Sequence, residues 1–182
     1  MKRIIFMLSM MFLFEQQLFA VELSATAGEV KFTAIGKPGF LKIRGESKGS
    51  APVGNLKIKD DKANGEFEFD LKNLDTGIEL RNEHMKNKYL EVEKFPKAKL
   101  VLESLSINEK NLSSNMDKDF SGKLTLHGVT KSINGKFQYE AKAKKVKASF
   151  SLAVSDFKID VPKHLGVTVS ETVEVEVTMS MK

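Results

Sequence analysis

The stretch Val173-Glu174-Val175-Glu176-Val177-Thr178-Met179-Ser180-Met181 alternates apolar and polar residues without a break. Successive side chains of a strand point to opposite faces, so this order gathers the valines and methionines on one side. The same period recurs upstream. Phe67, Phe69 and Leu71 alternate with Glu66, Glu68 and Asp70; Val146, Ala148, Phe150, Leu152 and Val154 alternate with Lys147, Ser149, Ser151 and Ala153. Shorter versions lie at residues 30–34, 41–43, 56–58, 100–102, 124–126 and 137–139. About eight or nine strands in succession, without helical crossovers, predict an all-β domain: an antiparallel sheet closing into a barrel, or a sandwich as the alternative.

Turn chemistry is expected to separate the strands at Lys37-Pro38-Gly39, at residues 49–55, at Asn64-Gly65 and at Asn134-Gly135, with a polar loop over residues 106–119. Residues 78–90 break the period. They are rich in helix formers, follow the capping candidates Asp75 and Thr76, and would bring Ile78, Met85 and Tyr89 together beside Arg81. One short helix across an end of a barrel is the expectation.

Lys2 and Arg3 precede an apolar run over residues 4–14, and Ala20 supplies a small residue after it, the layout of a secretory signal peptide. The reading is a signal peptide over residues 1–20 and one exported domain over 21–182. No cysteine is present, which excludes disulfides, thiol catalysis and a cysteine-linked anchor. The net charge is +5, yet only three arginines contribute. Nucleic-acid readers rely on the planar fork of arginine, so no nucleic-acid partner is expected. The cluster Lys142, Lys144, Lys145 and Lys147 reads as a charged hairpin that resists edge pairing, and otherwise as a transient contact with a membrane surface.

The inward-facing sets consist of Phe, Leu, Ile, Val and Met, with no tryptophan and two tyrosines in the whole chain. An unsatisfied polar ligand group would cost a few kcal/mol in such an interior, so anything held there should be hydrocarbon. The expected cavity lining is Phe32, Phe67, Phe69, Leu71, Met85, Tyr89, Leu100, Leu102, Leu124, Leu126, Phe137, Phe150, Leu152, Phe157, Val175 and Val177. A barrel of about eight strands either fills its interior or leaves room for one small ligand, and periodicity does not choose between these.

Two segments narrow the field. Leu74-Asp75-Thr76-Gly77, then Arg81-Asn82-Glu83-His84-Met85, then Lys94-Phe95-Pro96 resemble the helix-and-loop signature of the YceI-like family. Gly122-Lys123-Leu124-Thr125-Leu126-His127-Gly128-Val129-Thr130-Lys131 resembles that family's strand and turn, and Ser155-Asp156-Phe157 is similar to its later Ser-Asp-Phe. The resemblance implies a lipocalin-like antiparallel barrel with a helix near its mouth, in the bacterial periplasm, holding an isoprenoid or other long-chain lipid and needing no cofactor or metal. Asn82 stands for the usual aspartate, Met85 for leucine and Ser132 for proline. Ala27-Gly28-Glu29-Val30-Lys31-Phe32 replaces a histidine-containing opening, and Gly36 sits where a histidine often occurs.

Arg81, Asn82 and His84 are the candidates for contact with a headgroup; the plainer role for Arg81 and His84 is to fasten the helix to its neighbours. His127, on the polar face of its strand, is expected to make a structural hydrogen bond, and His164 in a loop has no metal-ligand spacing partner. Binding rather than catalysis is the reading. A lipid isomerase or hydrolase using His84 with Asp75, Glu83 or Asp156, and a filled barrel serving as an interaction module, are the alternatives. A homodimer is left open.

Overall fold

The structure, a computed structural model, describes residues 20–37, 41–47, 50–164 and 167–182. The expected signal peptide lies outside the described residues, Ala20 apart, as do Pro38-Gly39 of the first expected turn and Gly49 of the second. The strands are β1 (Val21–Lys37), β2 (Leu41–Ser47), β3 (Val53–Lys59), β4 (Lys62–Asp70) and β5 (Leu74–Asp75). After a helical segment come β6 (Lys97–Ser106), β7 (Met116–Leu126), β8 (Val129–Glu140), β9 (Lys145–Ala153), β10 (Lys163–His164) and β11 (Val167–Met181).

Every pairing is antiparallel, and β1 pairs with β11 to close an eight-stave barrel from β1, β3, β4, β6, β7, β8, β9 and β11. The closing register sets Val30 opposite Val177, Phe32 opposite Val175 and Ala34 opposite Val173. One stave is composite. Residues 21–24 of β1 pair with β3, whereas residues 31–36 pair with β2. At the changeover the N–H of Val30 donates to Ser47 Oγ at 3.0 Å, so this backbone donor keeps a partner. Outside, cross-strand pairs such as Lys99–Glu66 and Lys123–Glu103 coat the wall. Exposed pairs of this kind contribute roughly 0–1 kcal/mol each, so they favour solubility more than stability.

Two expected turns are corrected. Asn64-Gly65 and Asn134-Gly135 lie within β4 and β8, and the hairpins close instead on Asp60-Asp61 (φ 53° and 60°) and His127-Gly128 (φ 50° and 73°). Positive φ at both central positions matches the twist of paired strands, and aspartate tolerates it better than most residues. Asn64 serves a bulge, its Oδ1 accepting from the N–H of Ser104 (φ 56°) at 2.8 Å. Gly135 is required by crowding: a Cβ there would collide with the carbonyl of Ser149 and stand 2.7 Å from the Phe120 ring. Leu71 and Val154 fall in short 3₁₀ turns (Leu71–Asn73 and Val154–Phe157), each continuing the inward face of the strand before it. The expected loop at 106–119 shrinks, because β6 runs to Ser106 and β7 starts at Met116.

The helical segment begins as α1 (Glu79–Glu83) and continues as a π-helix over His84–Tyr89, shown by the N–H of Leu90 donating to Met85 O at 2.9 Å. Neither Asp75 nor Thr76 caps it; the N-cap is Ile78, without a side-chain bond. The connections at this end of the barrel are fastened by His127. The Phe157 carbonyl oxygen lies 3.1 Å from its Nδ1 and Glu91 Oε2 lies 2.9 Å from its Nε2, while Phe95 meets the ring edge-on at 4.6 Å. His127 is therefore a turn residue rather than a strand residue, and it ties the β7–β8 turn to two other connections.

Two outcomes follow. Gly135→Ala should cost about 1–3 kcal/mol in urea denaturation, because a backbone carbonyl cannot give way as a side chain can; unchanged stability would show that the sheet relaxes freely there. The Lys94 ammonium, hydrogen-bonded at 2.5 Å, and then His127 hold the Glu91 carboxyl below the usual carboxylate range. A lowered folded value stabilises above the ordinary carboxylate pKa and is lost as pH falls through the folded value. Wild type should thus melt above Glu91→Gln at neutral pH, and the gap should close in acid. A gap that persists at the lowest pH would disprove the assignment.

Candidate functional site

A cavity of about 770 Å³ runs along the barrel axis. The barrel is a tunnel and not a filled core, and its volume lies within the roughly 300–1,000 Å³ usual for ligand sites. The alternation seen in the sequence builds it. Phe67 and Phe69 enter from β4, Leu100 and Leu102 from β6, Leu124 and Leu126 from β7, Phe137 from β8, Phe150 and Leu152 from β9, and Val175 and Val177 from β11. Phe32 joins from β1, Leu71 from the 3₁₀ turn, and Met85 and Tyr89 from the π-helix. The inner end is floored by Leu105, Ile107, Leu112 and Met116, with Ile107 buried.

Sequence reasoning missed part of the wall. Leu23, Val30, Leu56, Phe120, Tyr139, Met179 and Met181 also line it. Most continue runs of period two that could have been extended; Phe120 was hidden by the polar residues before it.

Two expected site residues are corrected. Phe157 is 1% exposed and is not part of the cavity wall, because its 3₁₀ turn packs it into the core and offers its carbonyl to His127. Asn82 is also off the wall. Its Oδ1 accepts from Thr76 N and Thr76 Oγ1, both at 2.7 Å, and its Nδ2 donates to Asp75 Oδ1 at 2.8 Å. The Gly77 N–H donates to the same Asp75 oxygen at 2.6 Å. Asn82 therefore folds the approach to α1 from a position off the cavity wall, with both lone pairs of its oxygen and one amide hydrogen committed.

Arg81 and His84 do lie on the wall, at the end covered by the helical segment. Arg81 Nη2 donates to Thr76 O at 2.6 Å, which fixes the guanidinium, while its Nε is buried without a partner among the described residues. Thr76, Lys88, Lys163 and Ser170 stand at the same end, so the charged groups of the wall gather at the mouth, and apart from the phenol of Tyr139 hydrocarbon lines the rest. Glu68, the acidic residue of the wall, is engaged by Lys97 Nζ at 2.6 Å, and that ammonium holds its carboxyl below the usual range. Ile78 and Leu80 form an exposed lip on the mouth, at 53% and 58% exposure.

No carboxylate hydrogen-bonds His84 among the described residues, and Asp75 is engaged with Gly77 and Asn82. Among those residues no group of three or more His, Cys, Asp or Glu could hold a metal ion, and no helix is long and apolar enough to cross a membrane. His164 lies in β10; its side chain is outside the described residues. The Lys142–Lys147 cluster sits at the β8–β9 hairpin, at the end of the barrel away from the mouth.

The fold has known counterparts. A polyisoprenoid binding domain from Saccharophagus degradans, implicated in plant cell wall breakdown, superposes with a TM-score of 0.65 at 19% identity, covering 91% of this chain and 99% of that one. BcnA of Burkholderia cenocepacia also superposes with a TM-score of 0.65, at 15% identity, covering 84% of this chain and 94% of its own. At these identities the likeness concerns the barrel alone. No curated protein is similar enough to match. The YceI-like domain model matches residues 21–181, essentially the whole barrel from the start of β1 to the end of β11, and the chain belongs to that family.

Proposed function

We propose that the protein binds an amphiphilic lipid, of isoprenoid class, with its apolar chain inside the barrel, and stores or carries it in the periplasm after export through residues 1–20. The observation that carries this reading is the tunnel of about 770 Å³, walled by hydrocarbon from every stave, with its charged side chains gathered at one end. Water inside would find few of the two to four partners it needs. A lipid tail in its place removes apolar surface from water at about 0.8 kcal/mol per CH₂, before ordering costs. The described polyisoprenoid binding by a structural neighbour supports the class of cargo. Binding without turnover is the corresponding activity, with the wall residues as cavity lining and Arg81 and His84 as headgroup contacts.

The exposed lip of Leu41, Ile78 and Leu80 around the mouth supports transient contact with a membrane surface, where a tail could pass without crossing water.

Native purification of the exported protein, solvent extraction and mass spectrometry should recover a long-chain lipid. Absence of lipid, together with no uptake of added prenyl chains, would end the proposal. Phe69→Asp or Phe150→Asp should abolish retention, since a carboxylate would stand unpaired in the dry wall. A folded variant that retains lipid as wild type does would show the tail to lie elsewhere.

A further inference from the structure

Tyr139 puts a polar group at the closed end of the tunnel. On β8 it shares the inward face with Phe137, and it stands opposite Met116 of β7 and Val146 of β9. It belongs to the cavity wall and is 5% exposed. Leu112, Met116, Val146, Met179 and Met181 complete the wall there, and none carries a side-chain oxygen or nitrogen. The strand backbone beside the ring is occupied by the ladders to β7 and β9. Among the described residues no group hydrogen-bonds the Tyr139 hydroxyl, the methionine sulfurs included.

A buried phenol ordinarily finds a partner for its O–H. Packing does not call for the oxygen, since Phe67, Phe69, Phe120, Phe137 and Phe150 fill the wall elsewhere with bare rings. Water is a poor substitute, because a buried water usually makes about three hydrogen bonds and this end offers it one described side chain. A guest chain can bring the missing partner with it. The phenol both donates and accepts, so it matches a hydroxyl or a carbonyl oxygen. No charged side chain of the wall stands at this end, and a charge drawn through the dry tunnel would lose its solvation, so the matching group is neutral.

Resting on the carriage reading above, we propose that Tyr139 is a second polar subsite, at the floor of the tunnel. It receives a neutral oxygen, a hydroxyl or a carbonyl, borne on the cargo's chain at the end remote from its head. The cargo is then a chain oxygenated at both ends. An oxygen that reaches the floor exchanges its water for the phenol, whereas a plain tail of the same length leaves the phenol without a partner.

Matched chains test this on the delipidated full chain. Saturated fatty acids of twelve to twenty carbons, each with and without a hydroxyl on the last carbon, compete with a bound fluorescent fatty acid. Each protein's ratio of the two affinities is the readout, so a general loss of binding cancels. In bare hydrocarbon the extra hydroxyl would weaken binding about tenfold or more. In the wild type that penalty should persist for chains too short to reach the floor and vanish at the length that meets Tyr139. Tyr139→Phe, which keeps the ring, should restore it at that length. A penalty equal in both proteins, or one that does not vary with length in the wild type, overturns the inference and leaves tail carriage standing. If no acid binds but a lipid co-purifies, fragmentation of that lipid decides: an oxygen in the far part of its chain supports the subsite, and a bare tail overturns it. If no acid binds and no lipid co-purifies, carriage itself fails and the subsite with it. The length dependence of the unaltered protein decides the matter even if the variant does not fold.

Discussion

Pairing of β1 with β11 is the constraint on which the rest depends. An open sheet would leave two long edges of unpaired N–H and C=O groups, and closure removes both. Closure also fixes the register, and in a strand a slip of one residue sends every side chain to the opposite face. With Val30, Phe32 and Ala34 set against Val177, Val175 and Val173, the apolar residues of both strands face inward. The dry wall, the outer coat of lysines and glutamates, and the tunnel between are consequences of that seam.

The mouth is organised by polar groups that do not themselves face the tunnel. Asn82 is the pivot, since it accepts from Thr76 and donates to Asp75, and Thr76 then positions Arg81. The replacement of the family's usual aspartate thereby gains a physical account. A carboxylate at this position would lose the donor and place two acids against each other, whereas the amide serves both neighbours. His127 plays the corresponding part between connections, with Glu91, Phe95 and Phe157 around it.

Much of the barrel was legible from strict alternation, because in an antiparallel sheet with one wet face the period of two is imposed by burial itself. That is why residues of β4, β9 and β11 could be placed on the cavity wall from sequence. Turns were less legible. Asn64-Gly65 and Asn134-Gly135 carry the local signal of a hairpin, yet tertiary pairing drew them into strands, where the glycines admit neighbouring rings and carbonyls. The two Asp residues that do turn, Asp60 and Asp61, look ordinary in sequence. Nor did helix-forming composition distinguish a five-residue α-helix from the π-helix that follows. Lys88 and Lys163 escaped notice because only the fold brings them to one cavity wall, from segments far apart in the chain.

The floor of the tunnel has a consequence of its own. Ile107 and Leu112 close the end opposite Arg81, so a chain entering from the mouth meets a fixed stop. Charge cannot follow the chain inward past the polar rim without losing its solvation. Stop and rim together make a gauge of length: a short tail leaves wall uncovered, and a long one must coil or hold its head outside the rim. For the cargo proposed above, the span between Ile107 and Arg81 would set the size that satisfies both ends at once.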